Sequence, residues 1–245
     1  MKSKKIIINS TLNVNPRLKE DTQRLTKEWI DKRIDIFYDY TLKSLKAQTN
    51  QNFTCYLRYD DTTEAFVLDA LDKHEKLPDN VKFIQTTKYD EQLAKELKNY
   101  EFAYFIRLDS DDMYHKTYVQ QMFDYNPQKT TVALINRNGF IYDSINKQVA
   151  KCYCKAVTFY TFIYKVKDYL QGNVFNADST DVDNEQYIAL RVPHEFITKR
   201  NYLWHTHSAN TVTKFENWFT FTTERTDNPY IVNEILKDFI GSPEK

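Results

Sequence analysis

The chain has 245 residues, 41% of them hydrophobic, enough for one sizeable core or two closely packed halves. Its 34 basic and 34 acidic residues cancel, which excludes a general polyanion binder and leaves at most a local basic patch. Only three glycines occur, Gly139, Gly172 and Gly241, so a Gly-rich phosphate loop of the Walker or the G-x-G-x-x-G type is excluded.

Three cysteines, Cys55, Cys152 and Cys154, give an odd count without zinc spacing and read as reduced structural thiols. The basic start carries only three consecutive aliphatics, too few for the apolar core of a signal peptide. No stretch approaches membrane-spanning length. A soluble, cytoplasmic protein without general nucleic-acid binding is expected.

In chain order, residues 4–9 read as a first strand, followed by a polar stretch over 10–20. A long helix is predicted over 22–48, where Ile30, Ile34, Phe37, Thr41 and Leu45 recur at helical spacing. Residues 53–59 form a second strand that stops at Asp60 and Asp61. A helix over 63–74, a strand over 81–85 and a helix over 90–99 follow. The next strand, 102–108, runs straight into three carboxylates, Asp109, Asp111 and Asp112. This strand–helix alternation predicts an α/β fold with a mostly parallel sheet covered by helices on both faces.

Beyond the carboxylates a helix is predicted over 115–125. Then the character changes. Residues 130–137, 139–144, 149–154, 157–166, 173–175 and 187–192 read as short strands rich in Val, Ile, Tyr and Phe. Residues 176–186 read as an acidic loop. Asn228 and Pro229 open a last helix, with Gly241 just past its end. The shift near residue 140 suggests two halves of one domain, 1–140 for a nucleotide and 141–245, smaller and β-rich, for an acceptor.

The acidic segment carries the chemistry. Three like charges within four residues cannot be buried bare, because desolvation would raise their pKa values or demand a cation. A divalent metal at the mouth of the strand satisfies them. Magnesium takes one or two protein carboxylates and completes its shell with water and phosphate oxygens, and manganese accepts the same ligands. The other reading is a solvated turn in which Asp111 or Asp112 caps a helix starting near Met113. Position favours the first, since ligands of open α/β sheets bind outside the carboxyl ends of the strands.

The order Trp29-Ile-Asp-Lys-Arg33, Phe37, Leu42-Lys-Ser-Leu45, Gln48-Thr49 and Asn52-Phe53 resembles a family of bacterial rhamnosyltransferases. So does Arg107-Leu-Asp-Ser-Asp-Asp112. Near the C-terminus, His194-Glu195-Phe196 and the stretch from His205 through His207 to Asn210 stand at places comparable to the family's His-containing segments. Where the family has a Thr-Arg-Phe-Asn-Val type segment, this chain has Ser10-Thr11-Leu12-Asn13-Val14, without the Arg and the aromatic.

The resemblance implies a GT-A glycosyltransferase, a Rossmann-like sheet with an Asp-x-Asp motif, acting with Mn²⁺ or Mg²⁺. Its partners would be a nucleotide-sugar donor and a glycan or other hydroxyl acceptor. Asp111 is then the first choice for direct metal coordination, with Asp109 and Asp112 completing the site or orienting water and ribose. His207 is implied as a further metal ligand, ahead of His194. Asp60 and Asp61 are candidates for holding the base, although a solvated turn explains them almost as well. Thr11 keeps its place among the donor contacts. Arg107 either neutralises the motif or forms a structural ion pair.

An inverting reaction needs a general base. Asp178, Asp181, Asp183, Glu185 and Glu195 are candidates, and Glu195 is preferred because it lies outside the acidic loop. Two other classes stay open: a metal-dependent phosphodiesterase or nuclease, and a non-catalytic glycan- or nucleotide-binding domain.

Overall fold

Three isoleucines in a row leave no polar face, so the strand that holds them must be covered on both sides. In the computed structural model, which describes residues 3–14, 22–155, 157–175, 185–208, 215 and 220–241, that strand is β1 (Lys4–Thr11). Ile6, Ile7 and Ile8 are all buried. β1 lies between two parallel neighbours, β2 (Phe53–Tyr59) and β4 (Phe102–Arg107), and β3 (Val81–Gln85) continues the sheet beyond β2. On the far side of β4 runs β9 (Phe159–Lys165), antiparallel to it, then β6 (Ala133–Asn136) and β10 (His194–Ile197), parallel to each other. The result is a mixed, mostly parallel seven-stranded sheet, the class that the strand–helix alternation predicts.

One face is covered by α1 (Lys27–Ile36), α3 (Glu64–Leu71) and α5 (Tyr118–Asp124), through Ile30, Ile34, Val67 and Met122. The other is covered by α4 (Thr86–Leu97), α6 (Val166–Leu170) and α7 (Glu185–Arg191), through Leu93, Leu97, Val166 and Ile188.

The helix predicted over 22–48 is not uniform. A 3-10 turn (Thr22–Leu25) precedes α1, whose N-cap Thr26 accepts from the Trp29 N–H. α1 passes into a π-helical turn (Phe37–Thr41) and then α2 (Leu42–Lys46). Below that turn, Thr41 Oγ donates to the Asp112 carbonyl at 2.9 Å, and Ser44 Oγ to the Tyr114 carbonyl at 2.8 Å. These bonds clamp the chain that leaves β4.

A second sheet has the order β12-β8-β7-β11-β5, made of β12 (Thr220–Thr226), β8 (Gln148–Cys154), β7 (Asn138–Asp143), β11 (Tyr202–Thr206) and β5 (Met113–Tyr114). Its outer side packs on α8 (Pro229–Ile240) through Leu203, Val232 and Phe239. α8 has the termini its sequence predicts: the Asn228 side chain accepts from the N–H groups of Tyr230 and Ile231, and Gly241 follows with φ +76°. A Cβ on Gly139 would come within 2.4 Å of the Tyr202 ring, so only glycine lets β7 and β11 pair there. Residue 140 falls inside β7, and β9 and β10 return from beyond it to the large sheet, so the later sequence feeds both sheets.

Some elements differ from the sequence reading. Residues 187–192, expected as a strand, belong to helix α7. Ile188 and Ala189 are both buried, and so short an apolar run does not distinguish the two periods. Residues 173–175 form no strand, and α5 starts at Tyr118 rather than 115. Residues 176–184 of the predicted acidic loop lie outside the described residues. Cys55, Cys152 and Cys154 are buried thiols outside any disulfide. Among the described residues no helix is long and apolar enough to cross a membrane.

Candidate active site

β4 carries the chain to the carboxyl edge of the sheet, where Arg107 lies level with Asn9 of β1. The chain turns there, with the Asp112 N–H donating to the Asp109 carbonyl at 3.1 Å. It then enters β5, which pairs antiparallel with β11, Met113 opposite Leu203. Asp111 and Asp112 therefore precede a strand. The helix-cap reading does not hold, because the next helix begins at Tyr118 with Thr117 as its N-cap.

The three carboxylates have different surroundings. Asp109 is the open one, its side chain 38% exposed, and it takes both oxygens to Arg107 at 2.8 and 2.9 Å. Arg107 is anchored in turn by donating to the Thr158 carbonyl at 2.7 Å. The ion pair that Arg107 forms is thus with a carboxylate of the motif itself. Burial alone would lower its pKa, but the Asp109 charge raises it.

Asp111 is buried. Its Oδ2 accepts from Arg33 Nη1 at 2.9 Å and lies 3.0 Å from His207 Nε2. Arg33 also donates to Ser110 Oγ at 2.8 Å, with its guanidinium over the Trp29 ring. Burial would push the Asp111 pKa up; the Arg33 charge and the His207 contact hold it well below the usual carboxylate range. Asp112 is 1% exposed. Oδ1 accepts the His205 backbone N–H at 2.9 Å, while Oδ2 is buried without a hydrogen-bond partner among the described residues. Burial, with the neighbouring Asp111 and Asp109 charges, pushes its pKa well above the ordinary value.

His205 and His207 face the same way, their rings 4.9 Å apart, as an extended chain requires. The His205 ring is buried 3.9 Å from that of Tyr40, and Nδ1 lies 3.2 Å from the Asp111 carbonyl. Burial and the neighbouring His207 push its pKa down to about 3. His205 is a neutral wall of the site, and His207 is the imidazole that meets a carboxylate.

Two strands away, at the end of β2, Asp60 accepts from the N–H and hydroxyl of Thr62 at 3.0 and 2.6 Å, and its other oxygen lies 3.8 Å from Arg24. Asp61 is bonded by the Thr87 hydroxyl and N–H. Thr11 ends β1 level with Arg58 of β2. Just beyond it, Asn13 Oδ1 accepts the Asp60 N–H at 2.9 Å, and its Nδ2 donates to Thr63 Oγ at 3.1 Å. The ends of β1, β2 and β4 thus bring Thr11, Asp60, Asp61 and Asp109 to one edge.

Glu195 lies elsewhere. On β10 it is three strands from β4, and its carboxylate accepts from Tyr125 Oη, the Gln128 N–H and Thr131 Oγ, at 2.5 to 2.9 Å. It tethers the segment that leads into β6 and is not brought to the Asp109–Asp112 segment. His194, beside it, has Nδ1 2.9 Å from the Val192 carbonyl and is not brought to Asp111. Asp178, Asp181, Asp183 and Asn210, with the Glu185 side chain, lie outside the described residues.

Among the described residues no three His, Cys, Asp or Glu side chains converge as a metal cage. The Asp111–His207 pair still offers a carboxylate and an imidazole side by side, beside the open Asp109. That donor set suits a cation that takes few protein ligands and completes its shell with phosphate and water.

Residues 14–162, more than half of the sequence, match the family described as "Putative rhamnosyl transferase". The chain belongs to this family. No curated protein sequence matches significantly. Among solved structures, S. aureus TarS 1–349 in complex with UDP-GlcNAc is 13% identical, with a TM-score of 0.49 over 84% of this chain and 60% of that one. The same TarS fragment with UDP is 15% identical, with a TM-score of 0.45 over 83% and 60%. A 4-diphosphocytidyl-2C-methyl-D-erythritol synthase from Anaerococcus prevotii is 12% identical, with a TM-score of 0.37 over 96% of both chains. The family member described here thus spans 60% of the TarS fragment's length.

Arg33 stands in the sequence only as the last residue of the Trp29–Arg33 pattern, yet it is the main counter-charge of Asp111. The signal was available. Arg33 adjoins the buried stripe of Ile30 and Ile34, where a charge needs a partner.

Proposed function

We propose that this family member is a glycosyltransferase that moves a sugar, rhamnose by the family's description, from a nucleotide-sugar donor to a hydroxyl acceptor. One observation carries the reading. In a chain matching that family, the Arg107–Asp112 segment stands at the carboxyl edge of the sheet between supports from β1, β11 and α1. On this reading the donor diphosphate lies against Asp109 and the Asp111–His207 pair, with the base towards Asp60 and Asp61. A divalent cation bound at Asp111 and His207 would supply Lewis-acid stabilisation of the charge on the leaving diphosphate.

The chain's own residues have separate tasks. Arg33 and Ser110 fix the Asp111 carboxylate, so little reorganisation is needed when ligand arrives. Arg107 holds Asp109 at the open side. His205, uncharged and packed on Tyr40, keeps water from the back of the segment. Asp60 and Asn13 tie the ends of β1 and β2 together, so that both supports of the base keep one spacing.

Calorimetric titration with nucleoside diphosphates and nucleotide sugars, with and without Mn²⁺, tests the reading. Micromolar, manganese-dependent binding of a nucleoside diphosphate that Asp111→Asn abolishes is the expected result. Absence of binding by the wild-type chain to every nucleotide tried would remove it.

A further inference from the structure

Away from the acidic site, three exposed rings and two cations form a row across both sheets. Phe196 on β10, Tyr153 on β8 and Phe221 on β12 are 45%, 36% and 54% exposed. Phe221 lies directly opposite Tyr153 in the antiparallel β12–β8 pair, so the two rings share a face. Arg137 joins Tyr153 to Phe196: its guanidinium is 4.3 Å from the Phe196 ring, and Nη1 donates to Tyr153 Oη at 2.9 Å. At the other end, Lys155 Nζ sits 4.2 Å from the Phe221 ring. The nearby carboxylate of Glu224 is ion-paired with Lys151, so it does not cancel these two cations.

Single exposed apolar side chains need no explanation, but a contiguous set does. The spacing here is informative. Arg137 separates Phe196 from the Tyr153–Phe221 pair and Lys155 closes the far end, so the apolar part is two rings wide and lacks the broad apolar centre of a tight protein–protein interface. Flat rings suit the C–H faces of sugars, and the intervening cations suit acid groups carried along a chain. The row is also close to the site in sequence. Lys155 is three residues before Thr158, whose carbonyl anchors Arg107 and through it Asp109.

We propose that this row is a subsite for an acidic oligosaccharide, the extended part of the acceptor, laid across Phe196, Arg137, Tyr153, Phe221 and Lys155. The proposal deepens the transferase reading and rests on it for the word acceptor, though binding itself does not depend on catalysis.

Calorimetric titration of the full chain with oligogalacturonate, and with a neutral maltooligosaccharide of equal length, tests it. The acidic chain should bind and the neutral one should bind at least about tenfold more weakly. Phe221→Ala and Arg137→Gln should each weaken oligogalacturonate binding about tenfold, while Phe221→Trp, which keeps a ring, should retain it. These variants lie on the surface, and thermal melting checks that they fold. No binding of oligogalacturonate, equal binding of both sugars, or full binding by Phe221→Ala and Arg137→Gln would each overturn the row. Nucleoside diphosphate titrations of the same variants keep the two readings apart, because the row variants should leave nucleotide binding unchanged. Nucleotide binding without oligogalacturonate binding defeats the row alone; the reverse pattern defeats the transferase reading alone.

Discussion

The ends of β2 and β4 flank β1, and each carries carboxylates, two at β2 and three at β4, yet the two ends solve opposite electrostatic problems. At β2, Asp60 and Asp61 are bonded chiefly by neutral donors, the hydroxyls and N–H groups of Thr62 and Thr87, and both remain partly exposed to water. At β4, Asp111 and Asp112 are buried, and the Asp111 charge is balanced by Arg33, a residue 78 positions earlier. An exposed carboxylate loses little solvation, so its partners matter little to stability. A buried one depends on each partner, because removing one leaves a desolvated charge. The β4 end should therefore respond to substitution in both stability and chemistry, and the β2 end in neither to the same degree.

The largest expected effect is on that balance. Arg33→Met should destabilise the fold by about 3 to 5 kcal/mol, because Asp111 would keep its charge without its main counter-charge. Adding Asp111→Asn to Arg33→Met should recover part of the loss, and urea denaturation of the two variants and the pair gives the coupling. Additive losses would show that Arg33 and Asp111 do not depend on each other and would remove the contrast with the β2 end.

Next comes chemistry. Asp111→Asn keeps shape but removes the anionic ligand, so turnover should fall about a hundredfold or more, some 3 kcal/mol of transition-state stabilisation. Sugar transfer from the nucleotide donor, once identified, is the assay. Asp60→Asn should change it much less.

Asp112 sharpens the contrast within one end. Its folded pKa is raised, so its linkage favours folding fully below the unfolded value, and that contribution fades as pH rises towards the folded value. Asp111 is the opposite: its folded pKa is depressed, so its contribution is present above the unfolded value and is lost as pH falls towards the folded one. Asp112→Asn should therefore gain on the wild type, by about 1 kcal/mol, when pH is raised from 4 to 7. Paired denaturation curves at the two pH values test the sign. A variant that loses ground on that rise would mean that Asp112 is stabilised as the anion.

The smallest effect belongs to the β2 end. Asp60→Ala removes the side chain that caps the 3-10 turn (Asp61–Thr63) and should cost about 1 kcal/mol, whereas Asp60→Asn, which caps as well, should cost almost nothing. Thermal melting of the two variants distinguishes a cap from a charge.

The sequence was most legible where structure is local. β1 to β4 are marked by apolar runs that end at polar punctuation, and α8 by Asn228, Pro229 and Gly241 at its two ends. It was least legible where the partner is remote. Nothing near Asp111 points to Arg33, 78 residues earlier, and His207, 96 residues later, was reached only through the family resemblance. β5 is two residues long and exists because β11 pairs with it, so no periodicity could reveal it. The surroundings of Glu195 were hidden in the same way: its three donors come from residues 125–131, and a carboxylate supplied with neutral donors reads in sequence like a free one. The acidic segment itself was legible because three charges after an apolar strand cannot be satisfied locally.

The π-helical turn at Phe37–Thr41 sets a phase between two halves of one helix. Upstream, the phase aims Arg33 at Asp111; downstream, it aims Thr41 and Ser44 at the carbonyls of Asp112 and Tyr114. An α-helix advances about 100° per residue, so deleting one residue within the turn would rotate one half against the other by about that angle. Either the guanidinium or the two hydroxyls would then swing away from the segment. The helix thus works as a vernier, and the counter-charge of Asp111 and the backbone that carries Asp111 can be in register at only one setting.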